Sequence, residues 1–203
     1  MEWNLEKEFK QNNIPLEILS QIDEILKSEN PSKYYQVAEI LFVLNLQNIA
    51  INYANLYDKY ETNKQIKLIT LGNFYNLKIK DYQTAIKYYE KYLQIDNTKS
   101  VIYTTLGNLY QKAFNDDSIQ KQIEYFEKAY LLKPNDRLIL HSLVFAYEKL
   151  RDTVNADKFY KQLLNNNPTE TDFYNYGGFL ISTGDFLNGH KYFTHRFNID
   201  DIN

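Results

Sequence analysis

The chain has 203 residues, of which 44% are hydrophobic and 24% charged, and its formal net charge is −3. A chain of this length fits one globular domain or one array of repeats. The lack of cysteine excludes disulfides, thiol catalysis and thiolate metal sites, and the lack of a basic block predicts no nucleic-acid partner. The few glycines and prolines disfavour sandwiches and barrels, which need many tight turns, and favour long helices.

The first residues, MEWNLEKEFKQNN, are acidic and polar, unlike a secretory signal. The longest apolar stretch, ILFVLNLQNIAI, is too short and too polar to span a bilayer. The sequence therefore predicts no membrane partner and a cytoplasmic location. Abundant Asn, Lys, Ile and Tyr are typical of proteins from AT-rich bacterial genomes, which predicts a bacterial source.

Residues 1–30 precede the repetitive part of the chain. Within them, IPLEILSQIDEILKSENP has the pattern of one amphipathic helix with Pro15 in its first turn. This segment is predicted to be an N-terminal capping helix or helix pair, or a degenerate repeat.

The remainder of the chain repeats at a nearly constant interval. Leu71-Gly72 recurs as Leu106-Gly107, an offset of 106 − 71 = 35 residues, and weaker copies lie upstream and downstream. A period in this range indicates stacked supersecondary units. The predicted array covers residues 31–203, with repeats at about 31–64, 65–99, 100–136, 137–170 and 171–203.

Each copy has the pattern of a helix, a turn and a second helix. Small residues recur in both helices, for example Gly72 in the first and Ala85 in the second. Because glycine in mid-helix costs about 1 kcal/mol relative to alanine, its recurrence indicates close contact between antiparallel helices. The third copy has Gln122 where a small residue is expected and about three extra residues near FNDDS. A longer loop and looser packing are expected there.

These residues resemble the tetratricopeptide repeat, with its L-G-x-x-Y and A-x-x-x-F pattern. The stretches LGNFY…TAIKYYEKYLQID and LVFAY…NADKFYKQLLNNNP carry the resemblance best. It implies an all-α fold, a right-handed α-α superhelix of about five helix-turn-helix repeats. It also implies a non-catalytic scaffold that binds a protein or an extended peptide on its concave face.

By this resemblance, the first helix of each repeat lines the concave face. Apolar side chains would form its floor, and side-chain amides would pair with the backbone of an extended peptide. The side chains implied as the peptide-binding groove are Tyr35, Glu39, Phe42, Ile69, Asn73, Asn76, Thr104, Asn108, Gln111, His141, Phe145, Glu148 and Tyr174.

No catalytic motif appears in the sequence. His190 and His195 are five residues apart, not the four that place two ligands on one helical face, and no phosphate loop or nucleophile elbow occurs. The chain is therefore predicted not to be an enzyme and to need no cofactor or metal.

The last predicted helix carries aromatic residues with nothing after them to cover them: Phe186, Tyr192, Phe193 and Phe197. This helix is expected to self-associate or to pack on a further domain. The stretch also resembles the closing repeat of bacterial arrays that precede a glycosyltransferase domain, through Gly184, Phe186, Gly189, Phe193, Arg196 and Phe197. That resemblance implies an alternative function, recognition of an acceptor for a larger glycosyltransferase.

Overall fold

The computed structural model describes residues 5–194, and within that range the backbone forms helices and no strand. The prediction of an all-α fold is therefore confirmed. The chain divides into two compact units between Asp96 and Asn97. The division into five repeats at the boundaries given above stays a prediction.

Within residues 5–96, the first unit contains six α-helices: α1 Leu5–Gln11, α2 Leu16–Leu26, α3 Ser32–Val43, α4 Gln47–Tyr60, α5 Lys64–Asn73 and α6 Tyr82–Leu93. Helix α5 continues into a π-helical segment, Phe74–Ile79. The largest intra-unit contacts join α3 to α4 and α5 to α6, as helix-turn-helix pairing requires. Phe9, Ile22 and Leu41 are fully buried, so α1 and α2 contribute to the core of this unit.

The described part of the second unit, residues 97–194, also contains six α-helices: α7 Ser100–Phe114, α8 Ile119–Leu132, α9 Arg137–Leu150, α10 Thr153–Leu164, α11 Glu170–Ser182 and α12 Phe186–Thr194. The helices again contact each other in consecutive pairs, α7 with α8, α9 with α10 and α11 with α12. One hydrophobic core, which includes Leu140, Leu143 and Leu163, runs through α8–α11.

The turns inside three of the helix pairs have the same backbone conformation and the same helix cap. Each has a residue in the left-handed region followed by an aspartate, at Lys80-Asp81, Arg151-Asp152 and Gly184-Asp185. The aspartate then accepts a hydrogen bond from the backbone N–H three residues on, at 3.0 to 3.2 Å. The left-handed residue ends one helix and the aspartate caps the next, so two residues reverse the chain.

The glycines confirm that the paired helices are in close contact. A Cβ at Gly72 would lie 2.9 Å from the Tyr89 ring on α6. A Cβ at Gly177 would lie 2.8 Å from the Gly189 backbone oxygen and 2.6 Å from the Phe193 backbone nitrogen on α12. The α11–α12 contact is thus backbone against backbone, which a β-carbon on Gly177 would prevent.

The α7–α8 pair, which is the third copy of the sequence analysis, contains the expected longer turn, but its two helices remain closely packed. Asn115–Ser118 forms a turn of 3₁₀ helix between α7 and α8. Gln122 is fully buried, and its Nε2 donates to the Asn115 oxygen at 3.0 Å and to Ser118 Oγ at 3.1 Å. A Cβ at Gly107 would clash with the Phe126 ring, so α7 and α8 remain in close contact. Gln122 therefore occupies the position of the expected small residue, and its side-chain amide donates hydrogen bonds to the longer turn.

Across residues 5–194, no helix has both the length and the apolar character needed to cross a bilayer.

Candidate functional site

A cavity of about 570 Å³ opens between α9 and α11 in the second unit, and we call it the α9–α11 cavity. Four of its lining residues are members of the predicted groove: His141, Phe145, Glu148 and Tyr174. The other lining residues are Val144, Tyr160, Asn175, Gly178, Phe179, Ser182 and Phe193. The structure therefore brings the predicted side chains of the fourth and fifth copies to one concave surface.

Helical periodicity explains why these side chains converge. His141, Phe145 and Glu148 are spaced at i, i+4 and i+7 along α9, so they share one face. Tyr174 and Gly178 are spaced at i and i+4 along α11. The opposite faces of both helices carry the leucines and aromatics of the core, which fixes the orientation of the cavity-lining faces.

Glu148 contributes a carboxylate to the cavity wall. The Tyr160 hydroxyl donates to Glu148 Oε1 at 3.2 Å. Burial raises the pKa of Glu148, and the hydrogen bond from Tyr160 offsets part of that rise. Among the residues that the structure describes, no lysine, arginine or histidine forms an ion pair with Glu148.

A buried ion pair supports the base of the cavity at His141. Asp172 is fully buried, and Arg137 Nη2 on α9 donates to its Oδ2 at 2.5 Å. Asp172 also completes a capping box with Thr169 at the start of α11. Burial alone would raise the pKa of Asp172, but hydrogen bonds from Thr169 and Arg137 outweigh it and hold the pKa below its ordinary value.

The same carboxylate lies beside the histidine. His141 Nε2 is 3.2 Å from Asp172 Oδ1, a distance that allows an ion pair when the imidazole is protonated, although Oδ1 has no hydrogen-bond partner among the described residues. Arg137 additionally donates to the backbone oxygens of Asn166 and Asn167 at 3.0 Å. The group formed by Arg137, Asp172 and His141 therefore joins α9, the loop before α11 and α11 itself, which fixes the two walls of the cavity.

Aromatic rings form much of the accessible surface of the cavity. Phe145 and Tyr174 expose 45% and 43% of their surface, which is high for large apolar side chains. The Tyr174 ring packs against Phe193 with centroids 4.5 Å apart, and Lys149 Nζ lies 5.0 Å from the Phe145 centroid. These contacts hold the rings in place and leave part of each facing the cavity.

The last helix is covered more fully than the sequence analysis expects. Tyr192 packs against Tyr176 with centroids 4.9 Å apart, and Phe193 packs against Tyr174, so both face α11. Phe186 and Leu187 are 68% and 84% exposed. The expectation of an uncovered aromatic face is therefore wrong for Tyr192 and Phe193. Arg196 and Phe197, which contribute to the glycosyltransferase resemblance, lie outside the described residues.

The predicted site residues on α7 do not line this cavity. The Thr104 hydroxyl donates to the Ser100 backbone oxygen at 3.1 Å, so it bonds within its own helix. Asn108 is exposed and Gln111 is half-buried. Both amides thus remain accessible at the surface of α7.

The predicted residues of α3 gather around one lysine in the first unit. Lys78 Nζ lies 4.0 Å from Glu39 Oε1 and 5.9 Å from the centroid of the Phe42 ring. Tyr35 donates to Glu39 at 3.3 Å. Burial and the neighbouring Glu39 carboxylate raise the pKa of the Tyr35 hydroxyl to about 12. The charges of Lys78 and Glu39 thus offset each other. Ile69, the predicted groove residue on α5, is half-buried.

The amides of the first unit differ in their surroundings. Asn73 is exposed, and its Oδ1 accepts a hydrogen bond of 2.6 Å from the Tyr89 hydroxyl, which leaves its N–H groups and one lone pair of Oδ1 for a ligand. Asn76 lies in the π-helical segment, and its buried Oδ1 has no hydrogen-bond partner among the described residues. That these two amides bind a peptide stays a prediction.

Several lining residues of the α9–α11 cavity were missed because the sequence analysis placed the site on first helices alone. Tyr160 belongs to α10 and Phe193 to α12. The sequence does contain a signal for Phe193. It follows Gly189 by four residues on α12, the helix that packs against Gly177, so it lies on the same face as Gly189. A cavity of about 410 Å³ at Asp58, Tyr88 and nearby lysines in the first unit was also missed.

Metal chemistry has no site in the described part of the chain. Within residues 5–194, no group of three histidine, aspartate or glutamate side chains is arranged to hold a metal ion.

Comparison with known proteins identifies the repeat and the fold. Residues 68–99 match the family described as tetratricopeptide repeat, and no curated protein matches the chain. The crystal structure of MamA is similar, with a TM-score of 0.63, 22% identity, and coverage of 73% of this chain and 85% of that one. MamA from Desulfovibrio magneticus RS-1 has a TM-score of 0.67 and 15% identity, and the match covers 84% of this chain and 94% of that one. YrrB, described as a TPR protein with an unusual peptide-binding site, has a TM-score of 0.61 and 16% identity, and the match covers 94% of this chain and 89% of that one.

Proposed function

We propose that this chain, in which residues 68–99 match the tetratricopeptide repeat, is a non-catalytic scaffold that binds an extended peptide segment of another protein in the α9–α11 cavity. The repeat fold itself is typical of protein–protein interaction. The finer assignment, a peptide at this cavity, rests on the geometry of the second unit.

One observation carries the proposal: four predicted groove residues, from two successive helix pairs, line a single cavity. Its volume lies within the range of about 300–1,000 Å³ that is usual for ligand sites. Phe145 and Tyr174 expose apolar surface there that the folded chain leaves uncovered. A bound apolar side chain would cover these rings.

The polar groups of the cavity suit a peptide backbone. Asn175 is exposed at the cavity wall, and its amide can both donate to and accept from a peptide group. The Ser182 hydroxyl donates to the Phe179 backbone oxygen at 2.7 Å, so it can accept a hydrogen bond but has no further proton to donate. Apolar walls with few convergent polar groups are the usual composition of such sites.

The proposal can be tested by filling the cavity without unfolding the protein. Gly178 lines the cavity, and a Cβ built on it meets nothing within 4 Å. Gly178→Leu should therefore fold while placing its side chain in the cavity, and Gly178→Ala is the matched control with a small side chain.

The assay is selection of peptides from a random heptapeptide display library on the wild-type protein, followed by affinity measurement by fluorescence anisotropy. We expect the selected peptides to bind Gly178→Ala nearly as well as wild type and Gly178→Leu at least about tenfold more weakly, a loss of about 1.4 kcal/mol. Selected peptides that bind all three proteins equally would place the site elsewhere.

The acceptor-recognition alternative stays a prediction, as do the cytoplasmic location and the expectation of no nucleic-acid or membrane partner. Phe186 and Leu187 provide exposed apolar surface on α12 that a further domain could cover. Sequencing the gene beyond this chain would decide whether a sugar-nucleotide-binding domain accompanies it.

A further inference from the structure

We infer that the α9–α11 cavity selects a basic side chain, lysine or arginine, of its peptide by pairing that side chain with the Glu148 carboxylate between aromatic rings. This inference rests on the proposed function and specifies the chemistry of the ligand.

The first step is the charge of the cavity. Of the lining residues, Glu148 is the one that carries a full charge when His141 is neutral, and that charge is negative. Arg137, the nearest cation of the supporting group, has its guanidinium committed to Asp172 and to two backbone oxygens. An acidic side chain or a carboxylate terminus entering the cavity would therefore meet repulsion, whereas a cation would meet attraction.

The second step is the bonding state of Glu148. One of its oxygens accepts from Tyr160, and within residues 5–194 no cation pairs with the carboxylate. Burial disfavours its ionised form, as the raised pKa of Glu148 shows. A basic side chain would supply charge-assisted hydrogen bonds that the folded chain does not provide, and these are about twice as strong as neutral ones.

The third step is the surrounding aromatic surface. Phe145 and Tyr174 present partly exposed rings to the same cavity, and rings stabilise cations that lie within about 6 Å of their centroids. Lys149 Nζ already lies 5.0 Å from the Phe145 centroid, so a ligand cation would share that ring with Lys149 or use the Tyr174 ring. The methylene groups of a lysine or arginine would pack against the rings while the charged end reaches Glu148.

The experiment uses the full chain and a random heptapeptide display library. Selection on the wild-type protein should enrich lysine or arginine at one position. Replacing that residue by norleucine in a selected peptide should weaken binding to wild type at least about tenfold, since the charge-assisted hydrogen bond to Glu148 is lost. The same replacement should change binding to Glu148→Gln less than twofold, because the partner charge is already gone.

The matched control is Glu127→Gln. Glu127 accepts a hydrogen bond of 2.6 Å from the Tyr147 hydroxyl in the same unit, but it does not line the cavity. This variant should bind the selected peptides as wild type does. Thermal unfolding of both variants checks that they are folded, and Phe145→Leu provides a second cavity variant that keeps the carboxylate and lowers affinity through loss of the ring.

The outcomes separate the two proposals. If no peptide is enriched, the proposed function fails and this inference fails with it. If enriched peptides require the open cavity but contain no basic residue, or bind Glu148→Gln as tightly as wild type, only this inference is overturned. Affinity should also decrease as the pH falls through the raised pKa of Glu148, since protonation removes the charge that the ligand needs.

Discussion

The contact between α11 and α12 allows a sharp test of the packing that builds the site. Gly177→Ala adds one methyl group where the nearest atoms are the backbone nitrogen of Phe193, at 2.6 Å, and the backbone oxygen of Gly189, at 2.8 Å. Gly178→Ala adds the same group one residue later on the same helix, where nothing lies within 4 Å. The two variants have equal composition and differ in what the methyl group meets.

The expected magnitudes follow from these distances. Ordinary contact begins at 3.4 Å, so α12 must move by about 3.4 − 2.6 = 0.8 Å to accept Gly177→Ala. Overpacking of this kind costs about 1–3 kcal/mol, against a gain in helix propensity of about 1 kcal/mol that both variants share. Gly178→Ala should therefore stabilise the protein by about 0.5–1 kcal/mol, and Gly177→Ala should weaken the α12 contact by about 1–3 kcal/mol, which leaves a net loss of about 0–2 kcal/mol after the gain in helix propensity.

Because hydrogen exchange reports local opening of one helix while the rest of a domain stays folded, it is the appropriate assay. Exchange of α12 amides, measured by mass spectrometry, should become faster in Gly177→Ala and slower or unchanged in Gly178→Ala. The affinity of a cavity ligand should also fall in Gly177→Ala, because Phe193 lines the cavity. Equal protection of α12 in the two variants would show that the helices are not held as closely as we describe.

Three further changes test other parts of the structure, each by denaturant unfolding at several pH values. Asp172→Asn should cost about 2–4 kcal/mol at pH 7, because Arg137 loses its buried partner and α11 its capping box. Since the folded pKa of Asp172 is lowered, this loss should shrink as the pH falls through that pKa, and a loss independent of pH would contradict the ion-pair explanation. Tyr176→Phe removes the hydroxyl that donates to Asp157 on α10 at 2.7 Å and should cost about 1–2 kcal/mol, whereas a neutral change would show that this bond is exchanged for water. Arg151→Gly should stabilise by about 0.5–1 kcal/mol, since φ at this turn is +60°, and a loss would mean that the arginine side chain stabilises the turn.

The helix pairs could be predicted because their signals lie at fixed spacing in the sequence. Gly72 and Gly107 recur at one interval, and each admits an aromatic ring from the paired helix. The cavity-facing residues of α9 follow from the same register, since His141 and Phe145 are one helical turn apart on a helix whose other face is apolar. Periodicity therefore predicted the helix pairs, whereas the choice of His141 and Phe145 as groove residues came from the resemblance to the tetratricopeptide repeat.

What could not be predicted depends on hydrogen bonds between side chains distant in sequence. The pairing of Arg137 with Asp172, 35 residues later, and that of Tyr160 with Glu148 carry no periodic signal. The π-helical turn that places Asn76 is likewise a change of backbone hydrogen bonding that leaves the hydrophobic pattern intact. These interactions decide which polar groups remain available to a ligand, and residue type alone does not show that Asn73 Oδ1 already accepts a hydrogen bond from Tyr89.

The two carboxylates of the site differ in a way that separates folding from binding. Asp172 is held ionised by Arg137 and Thr169, so its charge stabilises the folded protein and its loss should be seen in unfolding experiments. Glu148 has a raised pKa, so its ionised form is disfavoured by folding, and its replacement by glutamine should leave stability unchanged or slightly higher. Our proposal is that a ligand compensates this charge, which folding disfavours and the Tyr160 hydroxyl holds at the cavity wall. For this reason Glu148, rather than the better-bonded Asp172, is the residue through which the cavity would recognise a partner.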